Sequence, residues 1–297
     1  MRRVGNDVLK LGLGTLRATR AHRVLGDGWR GLGAIFMLHR VVARMAEPCN
    51  FAPNRILEVT PAFLGGVLRR VKELGYEVVS LDELAKRLRD GGPGPVAAFT
   101  FDDGYRDNLE LALPVFEAHD APVAIYVASD MPDGTADLWW VNLEHAIRAL
   151  DDIEMEIGGE VIRHAARTPT EKRGAWESVY WRLRDAQEDD ARHAVRLLAE
   201  KAGIDTGAIT RRLALSWDEV RHLDAHPLVT IGAHTASHFS LRGLPLERAE
   251  EDMLAGTARL TDELGHRPRH FAYPYGDEAS AGPREFRLAT SQGFATA

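Results

Sequence analysis

Val96-Ala97-Ala98-Phe99-Thr100-Phe101 runs without a break into Asp102-Asp103-Gly104. An apolar, β-favouring hexamer bounded upstream by Gly91-Gly92-Pro93-Gly94-Pro95 predicts a buried strand, and its acidic tail predicts an end that opens on solvent. The same grammar recurs along the chain. Gly33-Ala34-Ile35-Phe36-Met37-Leu38 ends in His39-Arg40, Leu228-Val229-Thr230-Ile231-Gly232 leads to His234, and His270-Phe271-Ala272-Tyr273 leads to Pro274-Tyr275-Gly276. Residues 76–80 and 121–127 read as further strands. Between them lie helical stretches over 60–74, started by Thr60-Pro61 and stopped by Gly75, and over 246–264 with Gly265 just beyond. Strands that alternate with helices predict an α/β fold with a parallel sheet, in which functional residues gather at the C-terminal ends of the strands.

Residues 131–215 interrupt this rhythm. They are too long for one strand-to-helix connection, rich in charge, and carry Trp139, Trp140, Trp176 and Trp181. They predict a largely helical insertion, with two helices over 169–202 introduced by Thr168-Pro169-Thr170-Glu171. The 297 residues, 45% of them apolar, suffice for one large enzyme domain. A formal charge of -7 disfavours a nucleic-acid partner. One cysteine excludes an intramolecular disulfide.

No apolar run approaches the roughly 18 residues of a membrane span. Residues 1–32 carry Arg2, Arg3, Lys10, Arg17, Arg20, Arg23 and Arg30, with Val4, Val8 and Leu11 at helical spacing. They predict a basic helical leader packed on the domain edge, with membrane-surface contact as the weaker alternative. Neither a continuous apolar stretch nor a small-residue cleavage site follows Arg2-Arg3, so no signal peptide is expected. The location reads as cytoplasmic, with inner-membrane association as the alternative.

Asp102 and Asp103 are neighbours, which on a regular strand would face opposite ways, but at a strand end both can reach one ion. His234 and His238 are spaced i, i+4, which predicts two imidazoles on one side of a helical turn. Either piece alone is weak, since Asp-Asp-Gly triplets are common in turns and histidine pairs common on surfaces. Their joint placement after apolar strands is more specific. Two imidazoles and a carboxylate can hold a divalent metal, and a second carboxylate beside it can take a proton from water.

The stretches Phe99-Thr100-Phe101-Asp102-Asp103-Gly104-Tyr105, His234-Thr235-Ala236-Ser237-His238 and Phe271-Ala272-Tyr273-Pro274-Tyr275-Gly276 resemble the first three motifs of the polysaccharide deacetylases. That family is carbohydrate esterase family four, whose shared unit is the NodB homology domain of chitooligosaccharide deacetylases. The resemblance spans about residues 33–297 and is thinnest over 131–215. It implies a distorted (β/α)7 barrel, with Asp103, His234 and His238 as ligands of a divalent metal, Zn2+ before Co2+ or Mn2+. It implies Asp102 as general base in hydrolysis of the N-acetyl groups of a sugar polymer or oligosaccharide, and the Tyr275 backbone N–H as oxyanion donor. Tyr105, Tyr273, Pro274, Tyr275 and Gly276 become substrate-binding candidates. Trp139 and Trp140 are candidate stacking surfaces, or anchors of the insertion.

Two departures qualify the resemblance. The arginine that orients the catalytic aspartate in many members is replaced by Ala272-Tyr273, which leaves Arg40 or Arg269 as substitutes unless each ends in a surface salt bridge. The family's final leucine-x-histidine and tryptophan motifs are absent between Asp277 and Ala297. The chain therefore reads as C-terminally truncated, or another group protonates the leaving amine, with His39 the best internal candidate and a groove-lining role its alternative. An O-acetyl esterase and a carbohydrate-binding remnant without turnover are the rival functions. The retained Asp102 argues against the remnant.

Overall fold

The computed structural model describes residues 31–44 and 51–297, with a few further positions between 11 and 19. The leader expected over 1–32 lies almost wholly outside the described residues. Among the described residues nine strands follow in chain order: β1 (Gly33–Leu38), β2 (Arg40–Val41), β3 (Glu58–Val59), β4 (Glu77–Val78), β5 (Val96–Phe101), β6 (Val123–Val127), β7 (Asp152–Ile157), β8 (Glu160–Ala165) and β9 (Val229–Ala233). The main sheet runs β1-β5-β6-β9, all parallel, with β4 also paired to β5. Parallel bridges from Ala233 to Phe271 and from His270 to Thr296 extend it. The stretch expected as a strand over 270–273 is thus reduced to bridge contacts. With them the sheet has seven parallel segments, as a (β/α)7 arrangement requires.

The apolar run of β5 is explained by burial on both faces. Phe99 and Phe101 pack edge-on against Phe116, at 5.7 and 6.0 Å between ring centres. Val96 and Ala98 face the other way, into a second cluster with Ala124 and Tyr126. Gly232 on β9 makes room for that cluster, because a Cβ there would lie 2.3 Å from a ring carbon of Tyr126. The covering helices start and stop as their sequences predict. Thr60 Oγ1 caps Pro61–Glu73 by accepting from the Phe63 N–H at 3.2 Å, and Leu246–Leu264 ends at a left-handed Gly265.

Between β6 and β9 the chain forms helices Trp139–Ala149, Pro169–Asp185, Glu188–Lys201 and Thr206–Leu213 around a core of its own, including Leu143, Ile147, Val179 and Val195. Thr168 and Glu171 form the expected capping box. The insertion is not helical throughout, because β7 and β8 form an antiparallel hairpin packed on this core. Its signal was present. Asp152-Ile153-Glu154-Met155-Glu156-Ile157 alternates exposed with buried residues, and Gly158-Gly159, both at positive φ, make the turn. No described helix is long and apolar enough to cross a membrane.

Candidate active site

Five non-glycine residues among those described have positive φ, and four of them belong to the motif loops: Asp103 (76°), Thr235 (65°), His238 (55°) and Tyr275 (65°). Left-handed backbone is unfavourable for L-residues, so such a concentration marks a place where geometry is imposed by its surroundings. At the end of β5, the left-handed Asp103 turns the chain so that neighbouring carboxylates need not diverge. The loop is pinned from behind by Leu215 N–H to Gly104 O at 3.0 Å and Arg106 N–H to Leu213 O at 2.7 Å.

The histidines converge by a different route from the one their spacing predicts. Residues 234–238 are a bent turn and not a helix. Left-handed steps at Thr235 and His238 bring the two rings to 4.9 Å between centres. Thr235 Oγ1 accepts from the His238 N–H at 3.0 Å, and Asp252 Oδ1 from the Ser237 N–H at 3.1 Å. Beneath the turn, Gly256 packs so closely that a Cβ would sit 2.2 Å from the carbonyl of Thr235.

Asp103, His234 and His238 form the one group among the described residues whose donor atoms are arranged to share a metal ion, all within 4.8 Å of one another. Asp103 Oδ1 lies 3.0 Å from His238 Nε2 and 3.4 Å from His234 Nε2. Yet Asp103 Oδ1 and His234 Nε2 are buried without a hydrogen-bond partner. Buried polar atoms are seldom left so, and converging lone pairs are what a cation satisfies. His234 Nδ1 donates to Ala272 O at 2.8 Å, which leaves the Nε2 lone pair facing Asp103.

Charge agrees with this reading. Burial alone would raise the Asp103 carboxyl, but the facing imidazoles hold it well below the usual carboxylate range. Burial pushes His238 down, toward the neutral ligand form. Against the same burial, Asp103 and Asp102 hold His234 up, so the field at this point calls for positive charge. Asp102 is raised by burial, with His234 and His39 partly offsetting the rise. The residues present fit a divalent metal.

A cavity of about 100 Å³ opens beside the cluster, lined by His39, Asp103, His238, Trp140 and Tyr275 together with Asn54, Ile56, Leu57, Trp176 and Tyr180. Trp140 lies 5.0 Å and Tyr275 4.9 Å from the His238 ring. Other sequence candidates stand elsewhere. Tyr105 is fully buried and accepts a hydrogen bond from Trp140 Nε1 at 3.1 Å, so it supports the wall from behind. Trp139 is likewise buried and holds the Tyr275 hydroxyl at 2.8 Å, the anchoring role weighed for it. Tyr273 turns away to Phe271 and Phe286, and Pro274 and Gly276 shape the loop without lining the cavity. Arg40 pairs with Asp107 at 3.0 Å and Arg269 with Asp82 at 2.6 Å, so neither of those ion pairs tethers Asp102. Trp176 and Tyr180, stacked at 4.4 Å, escaped the sequence reading of the cavity. Their i, i+4 aromatic spacing on a predicted helix was the available signal.

The sequence model of the polysaccharide deacetylase family matches residues 89–292. Among solved structures, the chain is similar to the Streptococcus pyogenes deacetylase PplD in complex with acetate, at 14% identity and a TM-score of 0.54 over 88% of this chain and 80% of that one. It is similar to IcaB from Ammonifex degensii, at 19% identity and 0.52 over 88% and 81%. A de-N-acetylase from Aggregatibacter actinomycetemcomitans gives 16% and 0.53 over 88% and 85%. No curated protein matches the chain.

Proposed function

The chain belongs to the polysaccharide deacetylase family, and from that premise we propose that it is a metal-dependent hydrolase removing N-acetyl groups from an N-acetylated oligosaccharide or polysaccharide. The observation that carries this reading is the buried Asp103–His234–His238 group, with donor atoms left unpaired, beside an aromatic cavity. The similar structures named as deacetylases, one of them holding acetate, support the acetyl group as the leaving portion.

A divalent metal held by Asp103, His234 and His238, zinc by the nature of the donors, would supply Lewis acidity and a water of lowered pKa. Asp102 takes the proton from the attacking water. Its burial favours this, because a carboxylate raised above its ordinary range is a stronger base. The left-handed Tyr275 offers its backbone N–H to the oxygen that gains negative charge. His39, which lines the cavity with Asp103, delivers a proton to the departing amine. Trp140, Trp176, Tyr180 and Tyr275 give the sugar ring its apolar walls. An amide needs that general acid more than an ester does, so the presence of His39 in the cavity favours N- over O-deacetylation.

Acetate release from N-acetylglucosamine oligomers by the zinc-loaded protein tests the proposal. Asp102→Asn is expected to lose turnover while keeping its metal. Acetate released from O-acetylated but never from N-acetylated glycans would transfer the assignment to an esterase. Unchanged metal stoichiometry in the double variant His234→Ala/His238→Ala would remove the metal centre altogether.

A further inference from the structure

The insertion does more than roof the cavity. We propose that two of its arginines are positioning residues, Arg192 for the metal ligand His238 and Arg184 for Tyr275, an inference that rests on the metal-centre reading above.

Arg192, on the helix Glu188–Lys201, is almost wholly buried, its side chain 6% exposed. Its Nη2 donates to two successive carbonyls of the ligand turn, Ser237 O at 3.2 Å and His238 O at 3.0 Å. Nη1 reaches Asp137 O at 3.1 Å, and Nε reaches Glu188 Oε2 at 3.1 Å. Glu188 in turn accepts from the Ser240 N–H at 2.7 Å, so the Glu188–Arg192 pair grips the chain on both sides of His238. Burying a guanidinium is costly unless its donors are used. Here they fix the peptides of a left-handed residue whose ring must point at Asp103.

Arg184 repeats the device at the neighbouring Tyr275, whose ring centre lies 4.9 Å from that of His238. From the helix Pro169–Asp185 its guanidinium carbon lies 3.8 Å above the Tyr275 ring, while Nη2 donates to Asp277 Oδ2 at 2.9 Å and Ser280 Oγ at 2.8 Å. Cation–π contact above, the His238 ring beside, and Trp139 on the hydroxyl hold Tyr275 in its left-handed conformation. Both clamps use the planar fork of arginine, which a lysine ammonium cannot reproduce. Arg196, on the same helix as Arg192, is half exposed, pairs with Asp137, and serves as the control.

The test reads zinc affinity by chelator competition and the visible spectrum of the Co2+-loaded protein, with melting curves to establish folding and steady-state kinetics on N-acetylglucosamine oligomers. Arg192→Lys is expected to weaken zinc binding about 10–100-fold and to alter the cobalt bands, the range seen when partners of metal ligands are removed. Arg184→Met is expected to keep wild-type zinc affinity and cobalt bands and to lower kcat about tenfold with little change in KM. Arg196→Met should match wild type throughout. Wild-type affinity and spectrum in Arg192→Lys, or undiminished kcat in Arg184→Met, overturns the corresponding half. If Arg192→Lys does not fold, Glu188→Gln takes its place, with weaker zinc binding expected and wild-type binding overturning the claim. A wild-type protein that binds no zinc overturns both this inference and the metal centre, whereas zinc-binding variants indistinguishable from wild type overturn this inference alone.

Discussion

Gly256 lies on a long helix, where glycine costs about 1 kcal/mol against alanine, yet the turn it touches leaves no room for anything larger. A Cβ 2.2 Å from both C and O of Thr235 must move backbone, not a flexible side-chain tip. Overpacking of that kind costs about 1–3 kcal/mol, and here the strained segment carries both histidines of the proposed metal group. Gly256→Ala is therefore expected to lower the denaturation midpoint and to weaken zinc binding together. A variant with lowered stability but wild-type zinc affinity would show that the helix does not set the turn. Asp102→Asn makes the complementary prediction: acetate release falls about 10²–10⁴-fold, the usual contribution of a general base, while bound zinc per chain is unchanged. The three side chains that the structure gathers, Asp103, His234 and His238, were legible from motif residues alone. The left-handed backbone that joins them was not, because Thr235 and His238 are unremarkable in a one-dimensional pattern and i, i+4 spacing suggests a helix. The positioning arginines were invisible for a related reason: in a charge-rich segment, nothing local separates a buried Arg192 from an exposed Arg196.

Short elements next to the site carry their own electrostatics. The helix Trp217–Asp224 opens with a capping box in which Glu219 accepts from the Ser216 N–H at 2.6 Å, and the same carboxylate accepts from Arg106 at 3.1 Å. It thereby ties the segment after Gly104 to the returning chain. Burial opposes ionisation, but the Ser216 and Arg106 hydrogen bonds prevail and hold Glu219 below the usual carboxylate range. A lowered folded-state pKa means that this stabilisation is present above the unfolded value of about 4.3 and is lost as pH falls through the folded value. Glu219→Gln should be less stable by about 1 kcal/mol at pH 7, a figure already reduced for partial exposure. In urea titrations the difference should shrink steadily below pH 4. A difference that stays constant from pH 7 to pH 3 would mean that the carboxylate charge contributes nothing. The caps of this region were readable from sequence, as Thr168 and Gly265 illustrate. The hairpin β7–β8 was overlooked although its alternation and Gly158-Gly159 turn were in plain view, since a helical reading of the surrounding charge pattern absorbed it.

Across the whole molecule the site lies between two hydrophobic cores. Phe99, Phe101 and Phe116 belong to the sheet's core, while Tyr105, Trp139 and Trp140 belong to the insertion's, with Tyr275 packed against it. Asp103 leaves β5 and His234 follows β9, yet the cavity beside them is walled by Trp140, Trp176 and Tyr180 of the insertion. A ligand that binds three buried side chains on two separate loops should therefore stabilise the native state as a unit. Zinc at about 100 times its dissociation constant is expected to add about 2.7 kcal/mol. For a chain of 297 residues that corresponds to a rise of roughly 4 °C in Tm. Chelator should reverse the rise in wild type. His238→Ala should show little zinc-dependent shift, because it lacks one of the three side chains proposed to hold the ion. The shift should also fade as pH drops, since imidazoles must be deprotonated to bind metal. Arg184→Met should retain the full shift, because Arg184 contacts the Tyr275 loop and not a ligand. A Tm that rises equally in wild type and His238→Ala would locate the stabilising zinc outside the Asp103–His234–His238 group.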